Sequence, residues 1–124
     1  MAKILAVDDS ASMRGMVAFT LRGAGHEVSE AENGQLALDA ARGSRFDLVL
    51  ADVNMPLLDG ISLIAQLRTL PDYRLTPLLL LTTESSPERK QQAKQAGATG
   101  WMVKPFEPNQ LLSTLERVLG NSPT

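Results

Sequence analysis

Polar side chains that could act together follow four short apolar runs of the 124-residue sequence. Asp8 and Asp9 follow the first run, and Asp52, Thr82 and Lys104 follow three later ones. Three neighbouring carboxylates repel one another unless a cation lies between them, and hard oxygen ligands favour Mg²⁺. A metal-bound carboxylate that faces an ammonium group and a hydroxyl is suited to attack phosphorus. The set therefore indicates phosphoryl-transfer chemistry.

Each of these residues also has an ordinary structural interpretation. The Asp8-Asp9 pair precedes a helical pattern and could simply cap it. Asp52 could be a turn residue, Lys104 a solvated lysine, and Thr82 the end of a strand, because threonine favours strands. These explanations would have to hold separately at the ends of four strands, so their coincidence favours a common site.

The apolar runs predict five β-strands. Four of them are nearly continuous in apolar residues, as expected for strands buried on both faces of a parallel sheet. They are Ile4–Val7, Phe46–Ala51, Leu78–Leu81 and Gly100–Val103. The fifth, His26–Ala31, alternates apolar and polar residues and predicts a half-exposed edge strand.

Helical patterns separate these strands. They cover Ser10–Arg22, a segment opened by Asn33-Gly34 and closed by Gly43, Gly60–Arg68 after the N-cap Asp59, Ser86–Ala96 closed by Gly97, and a last helix from Pro108. In the second helix we predict Leu36, Ala37, Ala40 and Ala41 to face inward. The resulting βαβαβαβαβα order implies an open parallel sheet with helices on both faces. In such sheets the working site lies at the carboxyl ends of the strands.

Composition excludes several classes of protein. The formal net charge of -2 and the absence of cysteine rule out the basic footprint of a nucleic-acid binder and any disulfide or thiolate metal site. The first apolar run is too short to span a membrane and lacks a signal-peptide cleavage site. We therefore expect one cytoplasmic domain over residues 1–120, a frayed tail at 121–124, and no DNA-binding or membrane segment.

Four segments resemble the receiver domains of two-component response regulators, in order and over essentially the whole chain. They are Val7–Ser10, Asp52–Gly60, Leu81–Glu84 and Val103–Phe106. Within that family the likeness is to stand-alone chemotaxis regulators of the CheY type. The resemblance implies a flavodoxin-like doubly wound (βα)5 fold in the α/β class, with a five-stranded parallel sheet in the order 2-1-3-4-5.

The resemblance also implies roles at the site. Asp52 is the expected phosphoacceptor, and with Asp9 it supplies the carboxylates of a Mg²⁺ site. Asp8 is expected to hold metal-bound water, and Asn54 to complete the coordination through its backbone carbonyl. Lys104 is expected to pair with the phosphoryl oxygens. A chain of this kind is not an enzyme for other substrates, since it catalyses only its own phosphorylation and dephosphorylation.

A switch is implied as well. Thr82 resembles the threonine that moves toward the phosphoryl group, and Trp101 stands in the place of the aromatic residue that then turns inward. The alternative is that Trp101 is only a large apolar anchor. Family members have a cis peptide bond between the lysine and the proline that follows it, so the resemblance implies one at Lys104-Pro105. Asn54 and Glu84 suggest a short phosphoryl lifetime, whereas the bulk of Thr83 suggests a longer one, so these two indications oppose each other.

The expected partners are a sensor histidine kinase, in particular a chemotaxis kinase, and a downstream protein bound on the face formed by the fourth helix, fifth strand and fifth helix. Before phosphorylation we expect a monomer. The fourth helix is unusually polar, with Arg89, Lys90 and Lys94 and only Ala93 and Ala96 as apolar residues. This composition suggests an acidic or non-flagellar target, or a role as a phosphate sink.

Two other functions are open to such a fold. A flavin- or nucleotide-binding protein would need a phosphate-cradling loop rich in Gly, Ser and Thr after the first strand. Asp8 and Asp9 stand there instead, and no GxGxxG or P-loop motif occurs. A histidine phosphocarrier would have to use His26, which we predict to be a surface residue outside any helix.

Overall fold

Five parallel strands alternate with five α-helices in a computed structural model, which describes residues 2–55, 57–83, 86–104 and 107–120. The strands are β1 (Lys3–Val7), β2 (Glu27–Ala31), β3 (Leu48–Asp52), β4 (Leu78–Thr82) and β5 (Gly100–Val103). The helices are α1 (Ala11–Gly23), α2 (Gly34–Gly43), α3 (Gly60–Leu67), α4 (Pro87–Ala96) and α5 (Pro108–Gly120). A short 3-10 helix, Pro71–Tyr73, lies between α3 and β4.

The strands form one sheet in the order β2-β1-β3-β4-β5, and every pair is parallel. This order confirms the predicted flavodoxin-like (βα)5 class. The chain order reverses between β1 and β3, so the point where ligands bind in such sheets lies at their carboxyl ends.

Alternate residues of the strands face opposite layers of helices. Leu5, Val49 and Leu80 pack with α2, α3 and α4 on one face. Ile4 and Leu50 pack with α1 and α5 on the other. β3 and β4 are buried along their whole length, because helices cover both faces of these strands. Polar side chains of the site can therefore lie only where the strands end.

The third strand begins at Leu48 rather than at the predicted Phe46, and it ends on Asp52 rather than before it. The later start is due to Tyr73, whose side chain is only 1 % exposed. Its hydroxyl accepts a hydrogen bond from the Phe46 amide at 3.2 Å and lies 2.9 Å from the carbonyl of Ala41, to which it donates. The Phe46 amide is therefore used outside the sheet.

The predicted inward face of α2 is partly wrong. Leu36 is 45 % exposed, whereas Leu38 is 2 % exposed, together with buried Ala37 and Ala41. The reason is Gly34, the first residue of the helix, where a Cβ would collide with Leu58. This close contact turns the face that carries Gly34 and Leu38 inward. His26, predicted on the surface, is half-buried.

Arg68, at the C-terminal end of α3, joins several segments. Its Nε and Nη2 donate to the carbonyl of Gly97 at 2.9 and 2.7 Å, beyond the end of α4. Its Nη1 donates to the carbonyls of Tyr73 and Thr76 at 2.6 and 2.8 Å. Burial lowers the pKa of Arg68, but a guanidinium stays charged at any physiological pH. One side chain thus ties α3 to the segment before β4 and to the end of α4.

Among the described residues, none of the helices combines the length and apolar character that crossing a bilayer requires. Glu84, the Lys104-Pro105 bond and the tail at 121–124 fall at least partly outside the described residues, so the predictions made for them stay predictions.

Candidate functional site

The site lies at the carboxyl edge of the sheet, where the predicted side chains come together. Asp8 directly follows β1, Asp52 is the last residue of β3, and Lys104 directly follows β5. β1 and β3 are neighbours, but β5 is separated from β3 by β4. The long lysine side chain spans this gap, while its backbone amide donates to the carbonyl of Thr82, at the end of β4, at 2.7 Å.

Lys104 joins two of the carboxylates. Its Nζ lies 3.0 Å from Asp8 Oδ2 and 3.2 Å from Asp52 Oδ1, with good hydrogen-bond geometry to both. The three side chains are 5 to 11 % exposed. Such shielded pairs are stronger than surface ion pairs, since water screens them less.

Asp9 adds a third carboxylate. Oxygens of Asp8, Asp9 and Asp52 lie within 4.8 Å of one another, and Asp9 is exposed on the open side of the cluster. This is a hard, all-oxygen donor set of high negative charge with solvent access, which fits Mg²⁺ with its retained water ligands. The predicted Mg²⁺ carboxylates therefore occur together.

The charges at the site shift two pKa values. Burial raises the pKa of Asp52 above 3.8, helped by the neighbouring Asp8 and Asp9, although Lys104 opposes the shift. For Lys104, burial lowers the pKa, but hydrogen bonds and charge interactions with Asp8 and Asp52 outweigh it, so the net pKa lies above 10.5. The lysine is therefore firmly cationic at neutral pH.

Helix capping is carried out by Ser10 and not by the aspartate pair. The Ser10 side chain accepts the Met13 amide at 3.3 Å at the start of α1. Asp8 Oδ1 accepts the Ser10 amide at 2.9 Å, and its other oxygen faces Lys104. The capping explanation for Asp8 and Asp9 is thereby weakened, and the Asp8 carboxylate is held in place from two sides.

Gly60 packs closely against the backbone of Asp52, a contact that sequence reasoning missed. A Cβ at Gly60 would collide with the backbone carbonyl of Asp52 and with Leu80. The Gly60 amide donates to the carbonyl of Val53 at 2.9 Å. The signal in the sequence is the pair Asp59-Gly60, an N-cap followed by a residue without a side chain.

We expect Gly60→Ala to lower the free energy of unfolding by about 2 kcal/mol, because the added methyl group forces the backbone away from Asp52. Gly15→Ala is the matched control, because nothing lies within 4 Å of a Cβ there. In a helix this control is expected to stabilise by about 0.5–1 kcal/mol. Urea unfolding of both variants measures the difference, and equal stabilities would contradict the steric argument.

The remaining predicted residues lie around this centre. Thr82 is completely buried at the end of β4, and Thr83 next to it is exposed. Asn54 is exposed two residues beyond Asp52. Trp101 lies in the middle of β5, paired with Leu80. Its Nε1 is buried and has no hydrogen-bond partner within the described part of the chain.

Comparison with known families decides the class of the protein. The family model described as the response regulator receiver domain matches residues 4–116. This chain belongs to that family. The predicted resemblance is thereby confirmed, and the matched segment contains every residue of the site described above.

Receiver proteins of chemotaxis are among its relatives. Chemotaxis protein CheY-3 of Vibrio cholerae is 38 % identical over 117 residues, which cover 94 % of this chain and 90 % of the relative. The structure of CheY4 from the same organism is 54 % identical, with a TM-score of 0.92 over 95 % of this chain and 98 % of that one.

A third similar receiver bears on the metal. It is the receiver domain of a sensor histidine kinase from Pseudomonas aeruginosa PAO1, with a magnesium ion coordinated in the active site cleft. Its identity to this chain is 29 %, with a TM-score of 0.90 and coverage of 97 and 98 % of the two chains. These findings identify a response regulator of two-component signalling with CheY-type chemotaxis relatives.

Proposed function

We propose that this receiver accepts a phosphoryl group on Asp52 from a sensor histidine kinase and signals by changing one surface. The observation that carries the proposal is the Asp52 carboxylate at the open edge of the sheet. It lies 3.2 Å from the Lys104 ammonium group and within the cluster formed with Asp8 and Asp9. An isolated structural ion pair would need neither the second nor the third carboxylate.

In the proposed reaction a carboxylate oxygen of Asp52 attacks the phosphorus of the donor. A P–O bond forms as the bond from phosphorus to the donor's histidine nitrogen breaks, and that nitrogen keeps the electron pair. Lys104 stays cationic and faces the developing negative charge on the phosphoryl oxygens, which is the main contribution a protein makes to such a transfer. Asp8 keeps Lys104 aligned through its 3.0 Å contact.

The carboxylates of Asp9 and Asp52 and the backbone carbonyl of Asn54 would hold Mg²⁺ directly, and Asp8 would hold it through bound water. When bound, the ion supplies positive charge for the phosphoryl oxygens. The support is the clustered oxygen set of this chain and the magnesium ion coordinated in the cleft of the Pseudomonas receiver.

The output part of the proposal involves Thr82 and Trp101. Thr82 would move toward the phosphoryl group, and Trp101 would turn into the space it leaves, altering the surface of α4, β5 and α5. The buried indole N–H of Trp101 has no hydrogen-bond partner among the described residues, which costs about 1–3 kcal/mol. This cost supports a second position for the Trp101 side chain. Asn54, Thr83 and Glu84 are proposed to set the lifetime of the phosphoryl group.

The polar surface of α4 favours an acidic partner. Of its ten residues only Ala93 is buried, and the exposed side chains include the cation Lys94. A downstream target with acidic residues therefore fits this surface better than a wholly apolar one. A phosphate-sink role, in which no target binds, is the second candidate. A chemotaxis kinase is the proposed donor because of the CheY-type relatives.

The test is phosphorylation by acetyl phosphate with Mg²⁺, read by intact mass and by the fluorescence of Trp101. We expect wild type to gain one phosphoryl group and change its fluorescence, and Asp52→Asn to do neither. Asp72→Asn is the matched control, because Asp72 is exposed in the 3-10 helix before β4. Equal phosphorylation of Asp52→Asn would contradict the proposal. The cytoplasmic location, the monomeric state and the domain limit at residue 120 stay predictions.

A further inference from the structure

The Asp9 carboxylate reaches the acidic cluster without support of its own. Asp9 is exposed, and it forms no hydrogen bond or ion pair with another residue in the described part of the chain. Asp8, by contrast, is fixed at its amide, which donates to the carbonyl of Ala31 at 3.1 Å, and at both carboxylate oxygens. The direction of Asp9 therefore depends on the two peptide groups that flank it. Asp8 Oδ1 holds the second through the Ser10 amide, and the first is the peptide group that joins Asp9 to Asp8.

Arg14 contacts that peptide group directly. Its Nη1 donates to the carbonyl oxygen of Asp8 at 2.7 Å. Its Nε donates to Glu30 Oε1 at 3.2 Å, and the arginine side chain is 19 % exposed. Because a peptide group is planar, holding the Asp8 oxygen also fixes the bond that leads to the Cα of Asp9.

The partner of Arg14 is itself anchored. Glu30 lies on the edge strand β2, and its second oxygen accepts from Arg22 Nη2 at 3.3 Å. The same nitrogen of Arg22 donates to the carbonyl of Val28 at 3.0 Å. A series of charged contacts thus runs from β2 through Glu30 to the loop that bears the aspartate pair. This explains Glu30, an acidic residue at the end of the second strand that has no place in the phosphoryl-transfer set.

We infer that Arg14 is a positioning residue for the metal site: by holding the Asp8-Asp9 peptide group it directs the Asp9 carboxylate toward Asp8 and Asp52. The inference rests on the proposed function, since it concerns the proposed Mg²⁺ site. A guanidinium suits the task because its planar fork donates to the Asp8 carbonyl and to Glu30 at once, which a lysine cannot do in the same geometry.

Charge and positioning predict opposite effects when Arg14 is replaced. If Arg14 acted only through its positive charge, its removal would strengthen Mg²⁺ binding, because like charges repel. If it positions Asp9, its removal weakens Mg²⁺ binding although a repelling charge has gone. The direction of the change therefore separates the two roles.

The experiment is calorimetric titration of chelator-treated protein with MgCl₂, without a phosphoryl donor. We expect Arg14→Met to weaken Mg²⁺ binding about tenfold, the usual effect of removing a group that orients a metal ligand. Arg42→Met is the matched control: it also removes one cation, but at an exposed position of α2 that pairs with Asp39 at 4.0 Å and lies outside this series of contacts. We expect it to change Mg²⁺ binding by less than about twofold, because water and salt screen an exposed charge. Unchanged or tighter binding by Arg14→Met would overturn the inference.

Arg14→Lys is the second variant and serves if Arg14→Met does not fold. It keeps the charge but not the fork, so we expect binding weaker than in wild type, and wild-type affinity would overturn the inference. Melting temperatures without metal show any general loss of stability separately. Failure of the proposed function would look different, because wild type and Arg42→Met would then also lack Mg²⁺ binding or phosphorylation at Asp52.

Discussion

Lys104→Met is expected to slow phosphorylation by acetyl phosphate about a hundredfold or more, because it removes the cation that faces the developing charge. Without Mg²⁺ it is also expected to lower the free energy of unfolding at neutral pH by about 3 kcal/mol, since Asp8 and Asp52 are left buried without their partner. Phosphorylation rates and urea unfolding in a chelator measure the two effects.

The same substitution is expected to strengthen Mg²⁺ binding, because the ammonium group competes with a metal for the carboxylate oxygens of Asp8 and Asp52. The raised pKa of Lys104 means that its stabilising effect is fully present below pH 10.5 and is lost as the pH rises through the raised value. Lys94→Met, at an exposed position of α4, is the control and should change stability by less than about 0.5 kcal/mol. Equal stabilities and Mg²⁺ affinities of the two lysine variants would refute the proposed role of Lys104 at the site.

Asp52→Asn is expected to reverse its effect on stability when Mg²⁺ is added. In a chelator at neutral pH the variant should be more stable than wild type by about 1 kcal/mol, because the Asp52 carboxylate is buried and is repelled by Asp8 and Asp9. With Mg²⁺ at a hundred times its dissociation constant, wild type should gain about 2.7 kcal/mol and the variant much less. Unfolding with and without Mg²⁺ tests this crossover.

The pH dependence follows from the raised pKa of Asp52. The folded state binds this proton more tightly than the unfolded state does, so ionisation opposes folding. The unfavourable contribution is absent below pH 3.8 and complete above the raised pKa, so wild type should lose stability relative to Asp52→Asn across that window. A constant difference between wild type and Asp52→Asn at all pH values would contradict the assignment.

Much of the fold was predictable because local signals agreed with the overall arrangement. Buried parallel strands need nearly continuous apolar runs, and the side chains of Asn33, Asp59 and Ser86 accept amides at the helix starts as expected for N-caps. The position of Asp52 and Lys104 in one site followed from the rule that the carboxyl ends of parallel strands meet at the same edge of the sheet.

Other features depend on contacts between distant parts of the chain, which a local pattern does not contain. The hydrogen bond between Tyr73 and the Phe46 amide joins residues 27 positions apart and determines where β3 begins. In α2, Ala37 separates Leu36 from Leu38, and Ala40 and Ala41 follow, so the apolar pattern fits more than one rotation of the helix. Arg14 carries no signal in the sequence, because its role depends on Glu30 from another strand.

Arg68 has a mechanical consequence for the output surface. Two nitrogens of its guanidinium donate to the Gly97 carbonyl. The C-terminal end of α4 is therefore held in place, like the fixed end of a lever. The opposite end, at Ser86, lies at the carboxyl edge of the sheet, where Asp52 is, and the ten residues between them span about 15 Å. A displacement of this N-terminal end would therefore tilt α4 about Gly97 and move Arg89 and Lys90 far more than Lys94.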